Sequence, residues 1–126
     1  MKLDVANIIC KDLLCDRANE VDKNGILYTE AALKKLDGIE NIPVLWGFNS
    51  TRIVGKAKVN YVEGKGLLCT IEGVDKALFN GKKIAPMYKI EDCKGGDNMT
   101  MVEDCEIILL GLCENHSLEN IPSIVL

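Results

Sequence analysis

The chain has 126 residues, 48% of them hydrophobic and 27% charged, with a formal net charge of -4. That length suits one self-sufficient domain, residues 1–126, that needs no staples to bury a core. The acidic balance leaves no surplus of cations for phosphates, and no apolar run approaches the roughly 20 residues that span a bilayer, so nucleic acid and membrane are both set aside as expected partners.

The chain opens with MKLDVANIICKDLLCD, which has neither the charge order nor the apolar length of a secretory signal, so synthesis in a reducing cytosol is expected. Leu3, Val5, Asn7 and Ile9 alternate with Asp4, Ala6 and Ile8, the period of a half-buried first strand. A polar stretch follows and ends in a turn at Asp22-Lys23-Asn24-Gly25. Thr29 is placed to cap a helix of about two turns, its hydroxyl accepting from free backbone amides, with Ala32, Leu33 and Leu36 inward and Gly38 as the stop.

Beyond Ile42-Pro43-Val44-Leu45-Trp46, the residues Ala57, Val59 and Tyr61 alternate with Lys56, Lys58 and Asn60. Leu67, Cys69 and Ile71 resume the alternation after Glu63-Gly64-Lys65-Gly66, which predicts a β-hairpin with a four-residue connection. Val74 to Asn80 suits a helical turn with Ala77 and Leu78 inward. Lys83 to Ile90 reads as a strand interrupted at Pro86, a residue that cannot donate to a ladder and so belongs at an edge or a bulge. A Gly-Gly loop over Cys93 to Asn98 leads into Met101 to Cys113, whose end is apolar on both faces, as in a central or barrel strand.

Six or seven short strands, two hairpins and one or two short flanking helices, with no regular βαβ alternation, point to a small antiparallel β-barrel or sandwich of the α+β class. The expected core is Val5, Ile9, Leu33, Leu36, Val44, Ala57, Val59, Leu67, Cys69, Ile71, Ile107 and Leu109.

The six cysteines, Cys10, Cys15, Cys69, Cys93, Cys105 and Cys113, contain no C-x-x-C pair and no finger spacing. They are read as reduced packing residues, with no metal and no cofactor expected. The tripeptides at Asn49, Asn98 and Asn115 match the glycosylation pattern and are read as chance or turn chemistry.

Taken in order, DKNGILYTEAAL, IPVLWGFNS, RIVGKAKV, EGKGLLCTIEG, ALFNGKKIAPMYKI and CEIILLGLCENHSLENIPS resemble the prohead proteases of tailed phages. The resemblance implies an assemblin-like serine protease fold, a β-barrel with flanking helices that cleaves scaffold and capsid subunits during maturation. The position of that family's catalytic histidine corresponds to Phe48, with Asn49 after it. The nucleophilic serine corresponds to Ala85 and the orienting acidic residue to Gly111, with Cys113 where a non-catalytic serine is common. No serine lies between Ser50 and Ser117, and His116 is the single histidine, so a slip of one residue in the alignment does not restore the machinery.

The resemblance therefore implies an inactive protease homologue acting by affinity for the major capsid protein, and for itself if it oligomerises. Its expected place is the virion capsid surface, as a decoration or cement protein made in the bacterial host cytoplasm. The alternative is an active or regulatory maturation protease or assembly factor acting on capsid or scaffold subunits. An improvised site would need His116 with Ser117, Ser50, Ser123 or Cys113, yet adjacent residues of extended chain point to opposite faces. His116 is thus expected as a surface turn residue. Ile121, Ile124, Val125 and Leu126 form an apolar segment that needs cover. It either closes the domain as a last short strand or adds to a capsid subunit as an interface.

Overall fold

The computed structural model describes residues 8–48, 51–73, 76–96 and 98–126. Among the described residues, seven strands, β1 (Ile8–Asp16), β2 (Ile26–Tyr28), β3 (Ile42–Leu45), β4 (Ile53–Val62), β5 (Gly66–Gly73), β6 (Lys83–Gly95) and β7 (Thr100–Cys113), form one curled, half-barrel sheet in the order β1-β5-β4-β3-β7-β2, with β6 also paired to β7, and two short helices flank it. The sheet is mixed rather than purely antiparallel. Strand β7 runs antiparallel to β6, while β2 and β3 lie parallel to β7 at its two ends.

Strand β1 spans Ile8–Asp16, in a stretch expected to be partly polar coil. The alternation over Leu3 to Asn7 lies outside the described residues. Two bulges explain why β1 has no period of two. Residues 10 to 13 oppose Ile71 and Cys69, residues 14 to 16 oppose Leu68 and Leu67, and Asp12 sits at a φ of 52°. Ile9, expected in the core, is 62% exposed, because it pairs with Glu72 on the outer face while Cys10 and Ile71 take the inner one.

The turn at Asp22 forms as expected, with Asp22 Oδ1 accepting from the backbone N–H groups of Asn24 and Ile26, and β2 (Ile26–Tyr28) follows it. Helix α1 (Glu30–Lys34) begins at Thr29, whose Oγ1 accepts from the Ala32 N–H at 3.1 Å. Ala32, Leu33 and Leu36 are buried beneath it.

Strands β3 (Ile42–Leu45), β4 (Ile53–Val62) and β5 (Gly66–Gly73) carry the regular alternation. The β4–β5 hairpin closes with Val62 opposite Gly66, so three residues connect the strands. Gly66 has a φ of 122°, and a Cβ there would collide with the Asp16 carbonyl, so glycine is what lets the end of β1 lie this close.

Helix α2 (Lys76–Phe79) turns inward at Phe79, which is fully buried, and not at Ala77, which is exposed. Strand β6 (Lys83–Gly95) runs through Pro86 without interruption. Among the described residues β6 pairs with β7 alone, so a missing donor is tolerated on this edge. Strand β7 (Thr100–Cys113) is central, as its apolar run suggested. Its inward residues are nonetheless Leu110 and Leu112, while Ile107 and Leu109 are half-buried. Met87 faces Leu109 and Tyr88 faces Ile107, so Ile108 bulges out and the parity changes across it.

The buried side chains form one cluster that includes Leu33, Val44, Val59, Leu67, Ile71, Phe79, Leu110 and Ile124. After β7 the chain has no further helix or strand, but it is held. Ile124 donates to the Lys82 carbonyl and accepts from the Gly81 N–H, both at 2.7 Å, and the Leu126 N–H donates to Asn80 Oδ1. Ile121 and Ile124 are buried in the chain's own interior and so present no surface to a partner, whereas Val125 is 88% exposed and Leu126 is also exposed.

Candidate functional site

The fold brings together Phe48, Ala85 and Gly111, the three positions that the sequence resemblance sets against a triad. Ala85 on β6 is the direct partner of Gly111 on β7. The Phe48 ring, on the turn after β3, covers Gly111 so closely that a Cβ there would lie 2.9 Å from it. Asn49 lies outside the described residues. Two hydrocarbon side chains and a glycine thus meet at one place, and none of them can accept or deliver a proton at neutral pH.

Phe48 and Ala85 border a cavity of about 350 Å³. One wall is β6, from Ala85 to Tyr88. The opposite wall is the end of β1 with the turn after it, contributing Asp16, Glu20 and Asp22, and Ile26 and Tyr28 of β2 complete that side. Asn115 to Leu118, just after β7, close one end. The cavity lies where β1 and β6 come together without pairing as strands, so side chains rather than a backbone ladder bridge the seam.

Asp16 is the chief electrostatic feature. It is 4% exposed, and its Oδ2 accepts from the Tyr88 hydroxyl at 2.7 Å while its Oδ1 accepts from the Arg17 N–H at 2.8 Å. Burial pushes its pKa up to about 6, against the pull of these two hydrogen bonds; Asp22 adds to the rise and Arg17 weakly opposes it. The Arg17 guanidinium is committed elsewhere, to both oxygens of Glu20 and to the carbonyls of Glu119 and Asn120. Tyr88 is held well above the usual tyrosine range by burial and then by the charge of Asp16. Tyr28 is pushed up to about 12 for the same two reasons, and its ring centre lies 4.5 Å from that of Tyr88.

His116 is buried, 4% exposed, and does not stand on a surface turn as expected. The turn folds back on β1, where the ring makes two bonds. The Leu118 N–H donates to Nδ1 at 2.9 Å, which leaves the ring proton on Nε2 to donate to the Cys15 carbonyl at 2.8 Å. Desolvation is the main cause that lowers its pKa, so the neutral tautomer is the resident form. A base needs a free lone pair, and the lone pair of this ring is occupied. The ring is therefore not free to take the proton of Ser117 beside it, and Cys113 is pushed up by burial, away from thiolate chemistry.

Asp16, Tyr28 and Tyr88 escaped the sequence reading, and Asp22 was read only as a turn residue. Asp16 and Tyr88 are 72 positions apart, and Cys15 and His116 are 101 apart, so no local pattern announces either contact. All six thiols are free: Cys10, Cys15, Cys69 and Cys105 are buried, Cys113 is half-buried and Cys93 is exposed. No helix of the described residues is long and apolar enough to cross a membrane. Comparison with protein-family models, with curated proteins and with solved structures finds no match to this chain.

Proposed function

We propose that this chain is a non-catalytic structural protein that binds the capsid of a tailed phage as a decoration or cement protein, on a degenerate prohead-protease-like fold. The observation that carries the reading is the meeting of Phe48, Ala85 and Gly111 at one place, with no group among them able to act as base, nucleophile or orienting acid. Positions chosen only by their resemblance to a triad are spatial neighbours, which supports the alignment; their side chains cannot run the chemistry, which supports the loss of it. The tied lone pair of His116 speaks against that ring as an improvised base.

A protein of this kind keeps affinity for the capsid subunit and acts through it. Its partner is the major capsid protein, with self-association as a second contact, and its place is the outside of the shell. The test is the composition of purified virions together with binding to capsids and incubation with the capsid precursor. The expected result is a stoichiometric virion component that binds capsids and leaves the precursor intact. Cleavage that is lost on replacing His116, Cys113 or a serine would establish the maturation protease instead, and absence from virions and capsids would refute the decoration role.

A further inference from the structure

The cavity at the β1–β6 seam has an unbalanced chemistry. Three carboxylates, Asp16, Glu20 and Asp22, line it, and among the described residues no lysine or arginine does. Arg17 neutralises Glu20 from outside the lining, and the Asp22 oxygen Oδ1 is engaged by two backbone N–H groups. Asp16 also accepts two hydrogen bonds, from the Tyr88 hydroxyl and the Arg17 backbone N–H, but neither donor carries a charge. Asp16 takes part in no ion pair among the described residues, although it is the most buried carboxylate of the site. A buried charge is ordinarily paired, because an isolated one forfeits its hydration without return. Its two hydrogen bonds leave capacity on both oxygens, since a carboxylate accepts about four. His116 cannot supply the missing cation, because its ring is held neutral by its own two bonds.

The rest of the lining suits a cation with a hydrocarbon stem. Tyr88 and Tyr28 present aromatic surface beside the carboxylate, Phe48 lines the same cavity, and aromatic faces attract ammonium and guanidinium groups. A volume of about 350 Å³ leaves room for a side-chain-sized group. An anion would be repelled here, and a neutral ligand would leave Asp16 as it is.

We propose that this cavity is a binding site for a compact organic cation, an alkylammonium or guanidinium group, which ion-pairs with Asp16 while its stem lies against Tyr28 and Tyr88. The proposal rests on the reading of the chain as a binding protein and names the chemistry its partner would present. The cation has two possible sources, a lysine or arginine side chain projecting from a partner surface, or a free amine.

The test is an NMR titration of the intact chain with n-butylammonium and n-butylguanidinium, with n-butanol as the neutral isostere. The expected result is saturable shifts of the Tyr28 and Tyr88 ring signals with the cations, at least about tenfold weaker binding of butanol, and a similar loss in Asp16→Asn. The Asp16 carboxyl signal should move to a lower titration midpoint when the cation is bound. Should Asp16→Asn fail to fold, the comparison of cation with isostere on the unaltered chain decides alone. Equal binding of butanol and butylammonium, no saturable shift with either cation, or undiminished binding to folded Asp16→Asn would overturn the proposal. N-acetyl-lysine amide and N-acetyl-arginine amide, set against a free polyamine, separate the two sources, and tight binding in either arm upholds the site. Capsid binding is scored separately. A chain that takes the cation but never binds capsids retains this site and loses only the decoration role, whereas one that binds capsids but no cation loses only this site.

Discussion

Replacing Asp16 by asparagine tests the electrostatics of the seam most directly. A carboxyl whose pKa rises from 3.8 to about 6 on folding has its ionised form disfavoured by about 3 kcal/mol in the native state. Between these two values the folded chain binds more protons than the unfolded one. The group's contribution is therefore full below 3.8, falls as pH rises, and levels off above about 6. His116 slopes the other way, since a lowered pKa makes the folded form shed protons and costs stability as pH falls through 6.5. The groups that face Asp16 are Tyr88 and Tyr28 from the neighbouring strands, with Asp22, Arg17, Cys15 and Cys105 around them. The side chain introduced by Asp16→Asn fits the same contacts, its carbonyl accepting from the Arg17 N–H and its amide donating to the Tyr88 oxygen. Denaturant unfolding of the two proteins between about pH 5 and 8 should give a difference that grows with pH, up to about 3 kcal/mol in favour of the variant. At roughly 3–5 °C per kcal/mol for a chain of this size, the Tm of the variant would rise by roughly 9–15 °C at the alkaline end. Parallel pH profiles, or a variant destabilised most at pH 8, would refute the claim that Asp16 is a costly buried charge.

Three further outcomes follow from the packing. Ile124→Ala should lower stability by about 2–5 kcal/mol in denaturant unfolding, because it empties a buried position, while Val125→Ala stays within about 0.5 kcal/mol; similar effects at both would contradict the docking of the tail. Gly111→Ala should cost about 1–3 kcal/mol through collision with the Phe48 ring, and Phe48→Ala in the same chain should recover part of it, so that a double-mutant cycle without coupling would show the two residues apart. An aromatic thiol reagent should label Cys93 rapidly and Cys113 slowly, and reach Cys10, Cys15, Cys69 and Cys105 only in denaturant; fast labelling of any of those four would place it outside the core.

How much of this was legible in the chain depends on where periodicity survives. Residues 56 to 71 were readable because β4 and β5 pair without a break, so every second residue faces the core and the period of two is clean. Helix α1 was readable from one cap and two leucines. Strand β1 was not, since two bulges and a left-handed Asp12 shift its inward residues, and Ile9 was misplaced with it. The apolar end of β7 announced a central strand, yet the same kind of defect at Ile108 moved the core from Ile107 and Leu109 to Leu110 and Leu112. A bulge adds one residue and leaves no compositional mark, so parity beyond it cannot be read from a single sequence.

The candidate site was half legible for a related reason. Phe48, Ala85 and Gly111 came from an alignment of blocks, and the strand register makes them neighbours. The polar groups that give the cavity its character come from the seam, where β1 and β6 meet without a ladder. A sheet closed by backbone hydrogen bonds would leave no room there. Here closure falls to Tyr88 reaching Asp16 and to His116 reaching the Cys15 carbonyl, so each bond is made by a side chain and spans more space than a strand pair does. That space is the cavity, and its lining is set by what the closure needs. The carboxylate that joins β1 to β6 is also the charge left without a counterion, so the way this sheet closes and what its cavity would bind have one physical origin.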